Sequence, residues 1–176
     1  MKLCIRAHDL GVTGTEAVLR RLNELDIDGV LNSAAYQAEW GGDPPSNVDE
    51  TRMPLLCRVL EETGAVIVLS SSWRKLWHPE PALRAPGWKA VGKTFDRFGV
   101  EVFDRTPDYE GNNRDREVRD WLTAHEGDVE SFVILDDYGY GWGDLSDRLV
   151  QTSYYRGRGL TEDHVKAAIA LLGRRE

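Results

Sequence analysis

Asp26 and Asp28 stand two positions apart, and Gly29 follows them. On an extended backbone, residues i and i+2 share a face, so the two carboxylates would project together. Like charges that close raise each other's pKa unless a positive charge lies between them. Hard divalent cations such as Mg²⁺ prefer carboxylate oxygen and are the usual remedy. Two other stretches end in reactive side chains: Ala65-Val-Ile-Val-Leu69 stops at Ser70, and Phe132-Val-Ile-Leu135 stops at Asp136-Asp137. Arg114 opens a predicted helix. Phosphoryl transfer needs this set of groups. A carboxylate can attack phosphorus to form an acyl-phosphate. A cation held by carboxylates from two strands neutralises the developing charge. A hydroxyl and a guanidinium bind the equatorial oxygens. A second carboxylate protonates the leaving oxygen and then activates water.

Singly, these signals are weak. Asp-x-Asp-Gly also occurs in loops and calcium sites, although Val30 and Asn32 do not supply the further oxygens of an EF-hand. Ser70 alone reads as a strand-end serine bonded locally. Arg114 alone reads as a surface charge, with Arg116 and Arg119 close by, and Asp136-Asp137 alone as a turn. Arg74 and Lys75 could bind substrate phosphate or face water. Trp73, Trp77 and Trp88 could stack on a base, with core or rim packing as the simpler reading. The histidines His8, His78, His125 and His164 show no ligand spacing.

The elements that must position these groups are read from periodicity. Residues 2–7 predict a short strand. Thr15 can cap a helix, and Ala17, Val18, Leu19, Leu22 and Leu25 recur at helical spacing, which predicts a helix over 16–25. That helix runs almost into Asp26, where an apolar strand would be wanted. A polar loop with Gly41, Gly42, Pro44 and Pro45 follows Asn32. A helix is predicted over 51–63, capped by Thr51, with Pro54 in its first turn and Gly64 at its end. The run 65–69 is a strand buried on both faces. Residues 75–87 are a loop. Helix 88–98, strand 100–103, helix 114–124, strand 132–135, a weak strand from Leu149 and a helix over 161–173 capped by Thr161 complete the chain. Alternating strands and helices imply an α/β fold with a parallel sheet covered on both faces. Ligands of such sheets bind beyond the carboxyl ends of the strands, where Asp26/Asp28, Ser70 and Asp136/Asp137 would converge.

The chain has 176 residues, and one domain is the expectation. Its formal charge of −8 argues against a broad non-specific nucleic-acid surface but allows a local basic cleft. No apolar run reaches the length of a membrane span. Arg6, His8 and Asp9 interrupt any signal-peptide core. Cys4 and Cys57 match no metal or redox spacing and read as buried free thiols, from which a reducing cytoplasm follows.

The local wording is more specific. Asp26-Ile-Asp28-Gly-Val30, Val66-Ile-Val-Leu-Ser70, Arg114 and Leu135-Asp136-Asp137 resemble, in order and spacing, the four motifs of the haloacid dehalogenase (HAD) superfamily. Leu31-Asn32, Leu69-Ser-Ser-Ser-Trp-Arg74, Thr106-Pro107, Arg114-Asp-Arg-Glu-Val118 with Trp121-Leu122, and Gly159-Leu-Thr161 resemble the HAD domains of Swiss-army-knife RNA repair proteins. The resemblance implies a Rossmann-like three-layer sandwich with a mostly parallel sheet and minimal or no cap. It implies that Asp26 is the nucleophile and a metal ligand, and that Asp28 is the acid/base, its backbone carbonyl also a ligand. Ser70 and Arg114 would hold the phosphoryl group, and Asp137 with Asp136 would complete a Mg²⁺ site. The implied activity is a Mg²⁺-dependent phosphatase working through an aspartyl-phosphate on a phosphorylated substrate, such as a nucleotide or polynucleotide end. The alternative is a silent module that binds nucleic acid or a protein partner. Residues 1–24 would be an atypical extension, and residues 1–30 are similar instead to the opening of sugar-phosphate isomerase-like TIM barrels.

Overall fold

The computed structural model describes residues 20–42, 47–111, 113–139 and 141–173. Five strands build one sheet: β1 (Arg20–Leu25), β2 (Val66–Leu69), β3 (Val102–Arg105), β4 (Val129–Asp136) and β5 (Leu149–Gln151). Every pairing is parallel, and the order is β3-β2-β1-β4-β5. The chain builds outward from β1 to β3, then crosses to the other side of β1 for β4 and β5. That reversal puts a topological switch between β1 and β4, where ligands of open parallel sheets bind.

The apolar runs of β2 and β4 are continuous because both faces of the sheet are covered. Leu25, Ile67, Leu69, Val133 and Leu135 share one core cluster with buried residues of α2 (Met53–Thr63), α3 (Trp88–Phe98) and α5 (Glu162–Leu172). On the opposite face Ile134 packs with Val118 of α4 (Arg114–Ala124), and Val68 packs with Trp121. The alternation is the two-residue period of the pleat. The result is a three-layer Rossmann-like α/β sandwich, with no closed barrel among the described residues.

Several helix ends follow from local chemistry. Gly64 and Gly99 stop α2 and α3 in the left-handed conformation, at φ 68° each. Thr161 caps α5, its hydroxyl accepting from the His164 N–H at 3.4 Å. The start of α2 differs from expectation. Asp49 Oδ1 accepts from the Thr51 N–H at 3.0 Å and from the Thr51 hydroxyl at 2.6 Å, so Asp49 makes the turn and the helix begins at Met53. A short helix α1 (Ala34–Glu39), capped by Ser33, lies in a stretch read as loop.

The main correction falls on the first strand. Residues 20–25 form β1, the central strand, and not the end of a helix or an extension. Pairing on both edges overrides the helical spacing of Leu22 and Leu25. β3 begins at Val102, two residues after its expected start. The predicted strand at 2–7 lies outside the described residues, as does Cys4. No described cysteine is a free thiol, so the free-thiol reading of Cys57 fails, and with it the ground for a reducing compartment. No described helix is long and apolar enough to cross a membrane.

Candidate functional site

The sheet register builds a row of polar residues. Leu25 is level with Leu69 and Leu135, so the next residue on each strand, Ser70, Asp26 and Asp136, stands at one height. Backbone bonds carry the ladder through it: the Asp26 N–H donates to Leu135 O at 3.0 Å and the Ser70 N–H to Leu25 O at 3.2 Å. Thr106 extends the row beside Ser70, its N–H donating to Leu69 O at 2.9 Å, and Thr152 stands one residue beyond the row on the other side, its N–H donating to Asp136 O at 2.9 Å.

Arg114, first residue of α4, reaches this row from the other motif. Its guanidinium donates to the carboxylates of both Asp26 and Asp136. The two acids are 1% and 0% exposed. Burial pushes Asp26 up to about 7, against the pull of Arg114 and with the Asp136 charge adding to the rise. Asp136 and Asp137 are raised too, chiefly by burial, with Arg114 opposing. Burial works against the Arg114 charge, but the two carboxylates outweigh it and its pKa goes up. One guanidinium therefore does not balance the acids around it.

Oxygens of Asp26, Asp136 and Asp137 lie within 4.8 Å of one another. Three hard oxygen donors at that separation suit a divalent cation such as Mg²⁺. Gly29 makes the approach possible: at φ +76° it takes a conformation that disfavours other residues, and a Cβ there would lie 2.5 Å from Asp137 Cβ. The glycine of Asp-x-Asp-Gly is thus where the first and last acidic motifs touch.

The Asp28 side chain, expected to serve as the acid/base, lies outside this oxygen cluster. Its Oδ1 accepts from Asn32 Nδ2 at 2.8 Å and its Oδ2 from the Trp73 indole N–H at 3.0 Å. Asn32 Oδ1 in turn accepts from the Gly29 N–H at 3.1 Å. Trp73 and Asn32 therefore hold Asp28, a role sequence reading missed, since nothing in their spacing reports a contact across 45 residues. Ser70 Oγ is buried with no hydrogen-bond partner among the described residues, which is unusual for a buried hydroxyl.

Other candidates separate. Arg116 pairs with Asp120 and Arg119 with Asp144, both on the surface, so Arg114 is the α4 arginine that meets the acids. Arg74 neither faces water nor the row of strand ends. It is 5% exposed and donates to Glu117 at 2.8 Å, to Asp108 at 3.0 Å and to the backbone carbonyl of Ser70. Lys75 is exposed and pairs with Asp108 at 3.1 Å. Trp77 and Trp88 belong to the core.

Beside Asp137 opens a cleft of about 490 Å³, lined by the segment after β5, including Thr152, Tyr155, Arg156 and Arg158. That segment is clamped to the first motif: the Leu160 N–H donates to Val30 O at 2.8 Å, and a Cβ at Gly159 would lie 2.3 Å from the same oxygen.

No curated protein and no solved structure matches the chain at a significant level. A family model does, over residues 25–165, which span the row, Arg114 and the acidic cluster. The chain belongs to the family of HAD domains in Swiss Army Knife RNA repair proteins.

Proposed function

We propose that this protein is a Mg²⁺-dependent phosphohydrolase that works through an aspartyl-phosphate at Asp26. The observation that carries this reading is the row itself. Buried Asp26 stands between Asp136 and the unpartnered Ser70 hydroxyl, with Arg114 across it.

Asp26, Asp136 and Asp137 would hold the cation, with the Asp28 backbone carbonyl as a further ligand. Bound there, the ion supplies positive charge that keeps the acids ionised and lets a phosphate dianion approach them. Asp26 Oδ attacks phosphorus, and the ester oxygen leaves with its bonding electrons. Asp28 delivers the proton that oxygen needs. Asp28 then takes a proton from water, which attacks phosphorus and frees phosphate and the Asp26 carboxylate. Ser70 Oγ–H donates to a non-bridging oxygen, and Arg114 turns part of its fork to another. Trp73 and Asn32 hold Asp28 in one orientation through both steps.

The substrate we infer is a phosphorylated nucleotide or polynucleotide end. Among the described residues no second sheet is inserted between the motifs, which suits a bulky ester, and the matched family takes its name from RNA repair proteins. The test is phosphate release from a panel of sugar phosphates, nucleotides and end-phosphorylated oligonucleotides, with Mg²⁺ and with EDTA. Turnover should require the metal and fall at least about 10³-fold in Asp26→Asn. Full activity of purified Asp26→Asn would overturn the reading.

One observation favours a second reading, a silent binding module: Arg114 already bridges Asp26 and Asp136 in the way a cation would. Tight Mg²⁺-independent binding of nucleic acid or a protein partner, with no turnover across the panel, would select it.

A further inference from the structure

The cleft beside Asp137 has features that the phosphoryl chemistry does not use. Its wall includes Tyr155-Arg156-Gly157-Arg158, one aromatic ring and two guanidinium groups, in a chain whose net charge is −8. Tyr155 is 83% exposed. It packs against Tyr154 in a T-shaped pair, ring centroids 5.0 Å apart at 82°. Arg158 pairs with Glu39, whereas Arg156 has no carboxylate partner among the described residues. Thr152 Oγ1, on the cleft wall, is buried without a hydrogen-bond partner among them.

This wall stands next to the proposed chemistry. Asp137 lines the cleft, and the Tyr154 backbone N–H faces its carboxylate and opposes the rise in its pKa. Tyr154 O accepts from the Ala34 N–H at 3.0 Å, which ties the wall to the start of α1. A second exposed ring, Trp40, ends α1 at 52% exposure.

Exposed rings interleaved with guanidinium groups suit single-stranded nucleic acid, because bases stack on the rings and phosphodiesters pair with arginine. We propose that the segment 152–158 is a subsite for the nucleotide next to the scissile phosphate, with its base on Tyr155 and its phosphodiester on Arg156. The inference rests on the phosphohydrolase reading and narrows its substrate to single-stranded polynucleotide ends. A free nucleotide or sugar phosphate would fill the row of strand ends and leave the cleft empty.

The test uses the full chain and its Tyr155→Ala and Arg156→Ala variants, both altered at exposed side chains. For each, kcat/KM is measured on p-nitrophenyl phosphate and on tetranucleotides of RNA and DNA phosphorylated at the 5′ or the 3′ end. Wild type should prefer at least one tetranucleotide to the small ester. The ratio of the two kcat/KM values should fall about 10-fold in Tyr155→Ala, and the salt dependence of oligonucleotide turnover should become shallower in Arg156→Ala. The arm that shows these losses identifies the end and the sugar. An unchanged ratio in both variants overturns the subsite. If wild type hydrolyses no ester at all, the phosphohydrolase reading fails, and fluorescence anisotropy with a labelled tetranucleotide decides the subsite by itself. Weaker binding in the two variants supports it, and equal binding or none overturns it.

Discussion

Arg74 is buried and Arg114 half-buried, and both contact buried carboxylates, yet they stand in opposite kinds of site. Arg74 meets one fully buried acid, Glu117, and also donates to Asp108 and to the backbone carbonyls of Ser70 and Ser71. Glu117 also accepts from the Tyr109 N–H at 2.9 Å. Arg105 donates to the carbonyls of Arg74 and Trp77 at 2.8 Å each. This is a brace that fixes the loop after β2 to α4. Arg114 meets two buried acids, Asp26 and Asp136, and Asp137 lies close to both. The first cluster pairs one buried charge with one. The second sets three acids against one arginine, and the pKa of all three is raised, chiefly by burial, with neighbouring carboxylates adding to the rise. A buried arginine among carboxylates therefore marks a brace when the charges balance, and a place for another cation when they do not.

The sharpest way to break this comparison is to replace both arginines. Arg74→Met leaves Glu117 buried and unpaired, and should cost about 3–5 kcal/mol of stability that Mg²⁺ does not restore. Arg114→Met should lower kcat/KM about 10²–10³-fold. It should also lower the melting temperature in EDTA, and here Mg²⁺ should recover much of the loss. Recovery of both variants by Mg²⁺, or of neither, would remove the distinction.

A smaller effect is expected from metal alone. Wild type should gain about 2.7 kcal/mol when Mg²⁺ is present at 100 times its Kd, read as a shift in the thermal or urea midpoint. Asp137→Asn should lose most of that gain, whereas Asp108→Asn, which touches only the brace, should keep it.

The pH dependence of the metal-free protein sharpens the same point. Asp26 is raised from 3.8 to about 7 in the folded state, so between those values the folded chain binds more protons than the unfolded chain. Its contribution is full below 3.8 and is lost as pH rises through about 7. Asp136 and Asp137 shift in the same direction. Wild type in EDTA should thus lose stability from pH 5 to pH 8 more steeply than Asp26→Asn does. Mg²⁺ should flatten the difference, because it binds the ionised acids. Equal slopes for the two proteins in EDTA would show that Asp26 is not the strained group.

The mildest change is Trp73→Phe. It removes the indole N–H that donates to Asp28 at 3.0 Å and should cost about 1 kcal/mol. The shape of the pH–rate curve should change more than KM if the indole serves to hold the acid/base.

What was legible in the sequence follows the same division. β2, β4, α3, α4 and α5 were readable because each carries its own signal: unbroken β-branched runs, helical stripes and terminal glycines. The strand ends at Ser70 and Asp136 came with them. β1 was not readable, because Arg20-Arg-Leu-Asn-Glu-Leu25 has little strand character and owes its conformation to neighbours on both edges. α1 is too short for a period to show. Arg74 could not be told from a surface cation, since its partner Glu117 lies 43 positions away. The Trp73–Asp28 bond was hidden for the same reason. The residues facing the row announced themselves by type and order. Those that fix them in place did not.

The register of β2, β1 and β4 has one more consequence. Parallel strands lie about 4.8 Å apart and can slip only by whole residues, and a slip of one residue turns every side chain to the other face. The spacing of Ser70, Asp26 and Asp136 thus behaves as a ratchet with fixed teeth, and no intermediate setting exists. Inserting one residue between Val66 and Ser70 should shift the serine a full tooth and abolish the site. Inserting several in the loop at 78–87 should leave every tooth engaged. Chain length between the motifs is free to change, while length within the strands is not.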